Sequence, residues 1–421
     1  MKAGREELME IVDLWGYSPE TQEKVLAILE SEEVPPPHLF RYYGPKDGKG
    51  KVWQAERLFE VTIGTPHALA VNSGTSALMS AVVAAGIGPG DEVLVPGYTF
   101  FASASIVVAC RAIPVICEVN DSLNIDPRDM EKRITEQTRA VVVVHMKGNP
   151  ADMDEIMEVA RKHDLIVIED VAQACGGSYG GAKLGTIGDL GCFSFDFFKI
   201  AQSGEGGFVA TDDDYLNMRA QSWHDTAACW RPDRYAEERR EGELFCGENY
   251  RMSEMQGAVA LAQIRKLPGY IERLQAAKKK VRDCIVERDG FTLRRQPDPA
   301  GDASTAIVMF GPDPESTTAI VEAMGRRGVG AGGRFDQTVR DWHVFNFWEH
   351  ILEQKTVTDE GCPFTCPYYE GTLPDYGPEM CPNTLDYLAR SLHIGVAEGW
   401  SDEDAERIAD AINGAVDEVL G

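Results

Sequence analysis

The sequence predicts an α/β fold for residues 51–282, with a mostly parallel seven-stranded sheet covered by helices. Apolar runs recur at 68–71, 92–95, 113–117, 140–145, 165–169, 191–195 and 207–210. Turn residues bound each run, and helical patterns such as Thr75–Ala85 and Met153–Lys162 separate most of them. The runs are mostly continuous in apolar residues rather than alternating, which is the pattern of strands buried on both faces.

The remaining elements follow in chain order. Residues 1–50 read as a helical leader, with helices over Arg5–Trp15 and Pro19–Glu30 and a break at Pro35-Pro36-Pro37. Within the large domain, residues 222–250 form a polar, aromatic-rich interruption. A long helix follows over Ser253–Arg282, expected to bend or break near Pro268, since an interior proline removes a hydrogen bond. Residues 283–421 read as a smaller C-terminal α+β domain. It closes with a helix over Ser401–Val419, where Ser401 supplies the N-cap and Asp402, Glu403 and Asp404 an acidic first turn.

Composition excludes several classes. The chain has 421 residues, 43% hydrophobic and 26% charged, enough for two cores. Its 41 basic and 68 acidic residues leave a net charge of −27, which opposes nucleic-acid and anionic-membrane partners. No apolar run approaches the roughly 20 residues of a membrane span. The N-terminus lacks the apolar core of a secretory signal, so a cytoplasmic location is expected. The ten cysteines show no disulfide framework. Cys362, Cys366 and Cys381, with His343 and His350 nearby, do not have zinc spacing, so no metal is expected.

Chemistry concentrates at strand ends, where open α/β sheets bind ligands. Ser73-Gly74-Thr75-Ser76 follows the first apolar run and opens a helix, offering backbone N–H groups and hydroxyls to an anion. Asp170 ends the fifth run, and Gln173 lies one turn beyond. Phe100 follows the second run and offers an aromatic face. Ser194 ends the sixth, and Lys199 follows it, with glycines at 204, 206 and 207 that let backbone pass close to a ligand. Together these residues offer a Schiff-base amine, a carboxylate for a ring nitrogen, an amide for a ring oxygen and a phosphate site. Pyridoxal 5'-phosphate (PLP) requires that set. Each residue has a commoner role of its own: a solvated lysine, a capping Asp or Ser, a core Phe. Gly86–Asp91 stands between a helix and a strand, the wrong order for a dinucleotide loop.

At these residues the chain resembles the DegT/DnrJ/EryC1/StrS family of PLP-dependent, fold-type-I sugar aminotransferases. The resemblance runs from about residue 40 to 415. It includes Asn72 to Leu78, Pro89 to Val93, His145 to Asp154, Glu169 to Ala174, Ser194 to Gly207 and Asn249 to Ser253. It implies that Phe100 stacks on the ring, Asp170 pairs with its nitrogen and Gln173 contacts its oxygen. Ser73, Gly74, Thr75 and Ser194 would hold the phosphate, and Asn249 would reach the phosphate of the other subunit of a homodimer with shared active sites.

Some family members carry histidine in place of the lysine and dehydrate their substrates. Lys199 favours transamination, with glutamate or glutamine as donor. The alternatives are a PLP-dependent dehydratase and a non-catalytic PLP-binding regulator. The acceptor would be an oxidised octulosonate, a nucleotide-linked keto-sugar or a keto-cyclitol. Asp196 stands where many relatives have histidine, and the Tyr-Pro and Pro-Leu-His patterns of nucleotide-sugar members are missing after Gly328. The Phe-Asp before the lysine and Trp348-Glu349-His350 look closer to the branch that aminates C8 of an octulosonate. Arg334 and His224 are the candidate substrate contacts, Arg334 for a carboxylate.

Overall fold

The computed structural model describes residues 3–32, 34–42, 49–333 and 339–421. Two leader helices, Arg5–Asp13 and Pro19–Glu30, bury no residue. The first stops two residues short of the expected Trp15, where the chain turns through Gly16 at φ 68°.

The large domain begins with a helix, Lys51–Ile63, which Gly64 ends at φ 80°. Strands β1 (His67–Val71), β2 (Glu92–Pro96), β3 (Ile113–Cys117), β4 (Thr138–Val144) and β5 (Ile166–Asp170) follow, with helices between them. After a small hairpin of β6 (Ser178–Tyr179) and β7 (Ala182–Lys183) come β8 (Leu190–Ser194) and β9 (Gly207–Thr211). Seven of these form one sheet in the order β1-β9-β8-β5-β4-β2-β3. Only β9 is reversed, antiparallel to both β1 and β8. Parallel neighbours need a long crossover, usually a helix. The connection from Ser194 to Gly207 contains no helix, and the chain returns antiparallel.

The helix Glu254–Arg282 starts with a capping box, Ser253 with Gln256, and runs through Pro268 without the expected interruption. Ile264, Leu267, Ile271 and Leu274 are buried on both sides of the proline. That continuous stripe offsets an interior-proline cost of about 3 kcal/mol.

The small sheet is antiparallel, with β10 (Thr292–Leu293), β11 (Ala306–Phe310), β12 (Gly332–Gly333) and β13 (Ser391–Gly395) in the order β10-β11-β13-β12. Strand β11 is buried on both faces. Ile307 and Met309 pack with Ile320, Met324, Ile408 and Ile412 of the helices Pro314–Arg326 and Asp402–Leu420. Ala306, Val308 and Phe310 instead join the core of the large sheet. Val344, Phe345, Trp348, Ile351, Cys381 and Leu388 enter that same core. The stretch the sequence assigns wholly to the small domain therefore contributes side chains to both cores. Among the described residues no helix is long and apolar enough to cross a membrane.

Candidate active site

All strands of the large sheet except β9 run the same way, so their carboxyl ends share one edge. There Val71 of β1 lies opposite Gly207 of β9, and Gly207 opposite Ser194 of β8. The backbones approach so closely that side chains are excluded. A Cβ on Gly207 would stand 2.5 Å from the Ser73 carbonyl oxygen, and one on Gly74 2.6 Å from Cβ of Ser194. Ser73, Gly74 and Ser194 therefore converge, with Thr75 next in the chain. Ser73 Oγ accepts the Ser76 N–H at 3.0 Å and caps the helix Gly74–Ala84. The Gly74 and Thr75 N–H groups then have no partner among the described residues, and they point the helix start at an anion.

Asp170, at the end of β5, is 6% exposed. Its Oδ1 accepts the Ala172 N–H at 3.1 Å and its Oδ2 the Ser103 hydroxyl at 2.8 Å. Ser103 Oγ lies 2.8 Å from Thr99 Oγ1. Because Ser103 donates to the carboxylate, Thr99 donates to Ser103, and the two hydroxyls fix the Asp170 rotamer. Gln173 Oε1 accepts the Lys147 N–H at 3.0 Å, which leaves its amide Nε2 to donate. Lys147 holds that N–H in place from a left-handed conformation, φ 53°, that a non-glycine residue rarely adopts.

Lys199 sits in the connection from β8 to β9, half-buried, with its N–H donating to the Asp196 carbonyl at 3.0 Å. Bonds from Phe195 to Gly206 and from Phe197 to Gly204 fold this connection back beside Ser194. Among the described residues the Lys199 amine has no hydrogen bond or ion pair. Phe100 is 48% exposed, and its ring centroid lies 5.4 Å from that of His343. His343 Nδ1 donates to Asp341 at 2.7 Å, turning Nε2 away from that carboxylate.

Asn249 is exposed, and its carbonyl lies 3.5 Å from Asn72 Nδ2 of the same chain. The adjoining Tyr250 carbonyl accepts the Asn72 N–H at 2.8 Å. Both contacts are made by backbone carbonyls, and among the described residues the exposed Asn249 side chain has no hydrogen bond within its own chain.

His224 needs a correction. Its ring is fully buried, with Nδ1 donating to the Gln221 carbonyl at 2.6 Å and Nε2 accepting from Tyr42 at 2.8 Å. Both nitrogens are occupied inside the protein, so the ring anchors Tyr42 and has no face for substrate. Burial, with Arg41 and Arg251 nearby, holds its pKa well below the usual imidazole range. Arg334 lies outside the described residues.

Three features escaped the sequence reading. Thr99 and Ser103 are one helical turn apart, a spacing visible in the sequence but without meaning until Asp170 is placed beside them. His145 and Glu169 form a buried pair, 3.0 Å apart, directly behind Asp170. Burial would raise the Glu169 pKa, but His145 and the Gly188 and Gly185 N–H groups outweigh it and hold the carboxyl below its ordinary range. The third is His343, which reaches Phe100 from far along the chain.

Residues 48–363 match the DegT/DnrJ/EryC1/StrS aminotransferase family. The chain is 42% identical over 233 residues to the GDP-perosamine synthase of Caulobacter vibrioides, covering 54% of this chain and 58% of that one. It is 38% identical over 264 residues to the L-glutamine:2-deoxy-scyllo-inosose aminotransferase of Streptomyces kanamyceticus, covering 60% of each. It thus spans about three-fifths of the length of these relatives. A solved aminotransferase from Psychrobacter cryohalolentis shares its fold at a TM-score of 0.73 and 27% identity, over 96% of this chain and 98% of the other. By its match over the whole of the large domain and on into the small one, the chain belongs to the DegT/DnrJ/EryC1/StrS aminotransferase family.

Proposed function

We propose that this chain is a PLP-dependent aminotransferase that moves an amino group from glutamate or glutamine to a keto-sugar or keto-cyclitol. One observation carries the reading. A buried carboxylate pinned by two hydroxyls, Asp170, shares a sheet edge with the anion-ready N–H groups of Gly74 and Thr75.

The cradle fits the cofactor. Gly74, Thr75, Ser73 and Ser194 would hold the phosphate, and the closeness of Gly74 to Ser194 leaves backbone as the lining. Phe100 would cover one ring face, and Gln173 Nε2 would donate to the ring oxygen. When bound, PLP supplies an electron sink for charge that develops at the reacting carbon. Asp170 would keep the ring nitrogen protonated, and Ser103 and Thr99 hold Asp170 in place for it. Lys199 Nζ would hold the cofactor, and its free amine would carry the proton removed from the donor carbon. Asn249 completes the phosphate site, supplied across a homodimer by the partner.

The relatives' names join the reading here, one concerning a GDP-linked sugar and the other an inosose. Both acceptors would be polyhydroxylated ketones, and His343 Nε2, beside Phe100, is placed to accept from a hydroxyl.

Borohydride reduction of the purified protein with PLP, followed by peptide mapping, should label Lys199. Lys199→Ala should lose all turnover, a fall of at least about 10⁴-fold for a removed nucleophile and base. Label on another lysine would overturn the assignment.

A further inference from the structure

The chain enters and leaves the polar interruption after the helix Asp214–His224 through a short antiparallel ladder. Glu248 donates its N–H to the Trp223 carbonyl at 2.7 Å, and Tyr250 donates to the His224 carbonyl at 2.9 Å. The Thr226 N–H returns to the Glu248 carbonyl at 3.1 Å, and Asn249 stands opposite Asp225. On the other edge, the Asn72 N–H donates to the Tyr250 carbonyl at 2.8 Å, and Arg251 pairs with Val71 at the end of β1. Backbone bonds thus hold the segment around Asn249 from two sides, while the Asn249 side chain stays exposed.

One ion pair locks this ladder. Asp225 is 1% exposed, and its Oδ1 lies 2.5 Å from Arg251 Nη1. The same carboxylate accepts the Ala227 N–H at 3.3 Å and the Trp230 N–H at 3.2 Å, so it also closes the first turn of the interruption. The Arg251 guanidinium lies over the Phe40 ring, 5.1 Å from its centroid. In such a ladder, residues directly opposite and residues two apart share one face. Asp225 is opposite Asn249 and Arg251 is two residues on, so the pair flanks the Asn249 side chain. A buried carboxylate is costly without its cation, which holds the two charges to one arrangement.

We propose that Asp225 and Arg251 are positioning residues for the partner's active site, their ion pair fixing the Asn249 side chain that one subunit supplies to the phosphate of the other. The proposal rests on the reading that Asn249 acts across a homodimer. It assigns Asp225 no part in the site of its own subunit, so a lesion there acts on the neighbour.

Mixed dimers, purified through a different affinity tag on each subunit, test this. Each combines a Lys199→Ala subunit with one that carries Asn249→Ala or Asp225→Asn. The site that keeps Lys199 then receives Asn249 from a subunit whose ladder is intact. The Asn249→Ala and Asp225→Asn homodimers should each bind PLP about tenfold more weakly than the unaltered protein, as for one lost hydrogen bond to the phosphate. In both mixed dimers, absorbance titration of the PLP held by Lys199 should return to the unaltered affinity. Where Asp225→Asn does not fold, Arg251→Lys, which keeps the charge but loses the planar fork, carries the same test. No recovery in the Asn249→Ala mixed dimer would overturn the shared site and the proposal with it. Recovery there but not with Asp225→Asn, or full PLP affinity in the Asp225→Asn homodimer, would overturn the positioning role alone.

Discussion

The inner half of the candidate site and its outward half are built differently. The inner half is made of glycine contacts and buried hydrogen bonds: Gly74 on Ser194, Gly207 on Ser73, Ser103 on Asp170. The outer half lies beyond Phe100, where Trp342 is 47% exposed and His343 is half-buried between distant segments. The inner half has no room to vary, so it suits a constant cofactor. The outer half can change its side chains without disturbing a core, so it suits a variable acceptor.

The most severe test of this division is Asp170→Asn, which keeps the size and removes the charge. A loss of about 2.7 kcal/mol in transition-state stabilisation, or on the order of a hundredfold in kcat, is expected. Near-normal turnover would make the carboxylate a structural cap and dissolve the contrast.

Gly74→Ala should come next. Its Cβ would stand 2.6 Å from Cβ of Ser194, and overpacking of this kind costs about 1–3 kcal/mol. Weaker PLP binding, read by absorbance titration, is the expected outcome. Unchanged affinity would mean that the inner half yields as easily as the outer.

A pH measurement probes the layer behind the cradle, where the His224 carbonyl accepts the Tyr250 N–H at 2.9 Å. His224 stays neutral in the folded protein because burial, Arg41 and Arg251 depress its pKa, while the unfolded chain takes up the proton near pH 6.5. Below that pH the unfolded state binds more protons, so stability falls as pH falls, by up to about 1.4 kcal/mol per pH unit from this group. Denaturant midpoints from pH 7 to 5 should show that slope, and His224→Gln should flatten it. Equal slopes in the two proteins would remove His224 from the account.

The smallest effect is expected at the outer half. His343→Gln should raise KM for the keto acceptor by about tenfold, the equivalent of one lost hydrogen bond of about 1.4 kcal/mol, and leave PLP affinity unchanged. A fall in PLP affinity with no change in acceptor KM would erase the boundary between the halves.

The same boundary separates what was legible in the sequence from what was not. Ser73 to Ser76, Asp170, Gln173 and Ser194 stand out because each occupies a strand end next to a turn, a local pattern. The strands themselves were legible for the same reason, as apolar runs with punctuated ends. The break that Pro268 allowed does not occur, because the stripe of Ile264, Leu267 and Ile271 that carries the helix past it needs a partner surface no local pattern shows. His224 was named as a substrate contact, but Tyr42, far away in sequence, takes its ring, a pairing no local pattern shows. His343 was invisible as a neighbour of Phe100 because only the tertiary path of residues 339–348 joins them.

That path also sets an order of events in synthesis. Phe345, Trp348, Cys381 and Leu388 fill the core beneath β2 and β4, strands made some 250 residues earlier. A chain leaving the ribosome cannot close this core until Leu388 has emerged. The large sheet, although encoded first, is therefore finished almost last, and a chain cut between the two apparent domains would leave a hydrophobic gap where Trp348 belongs.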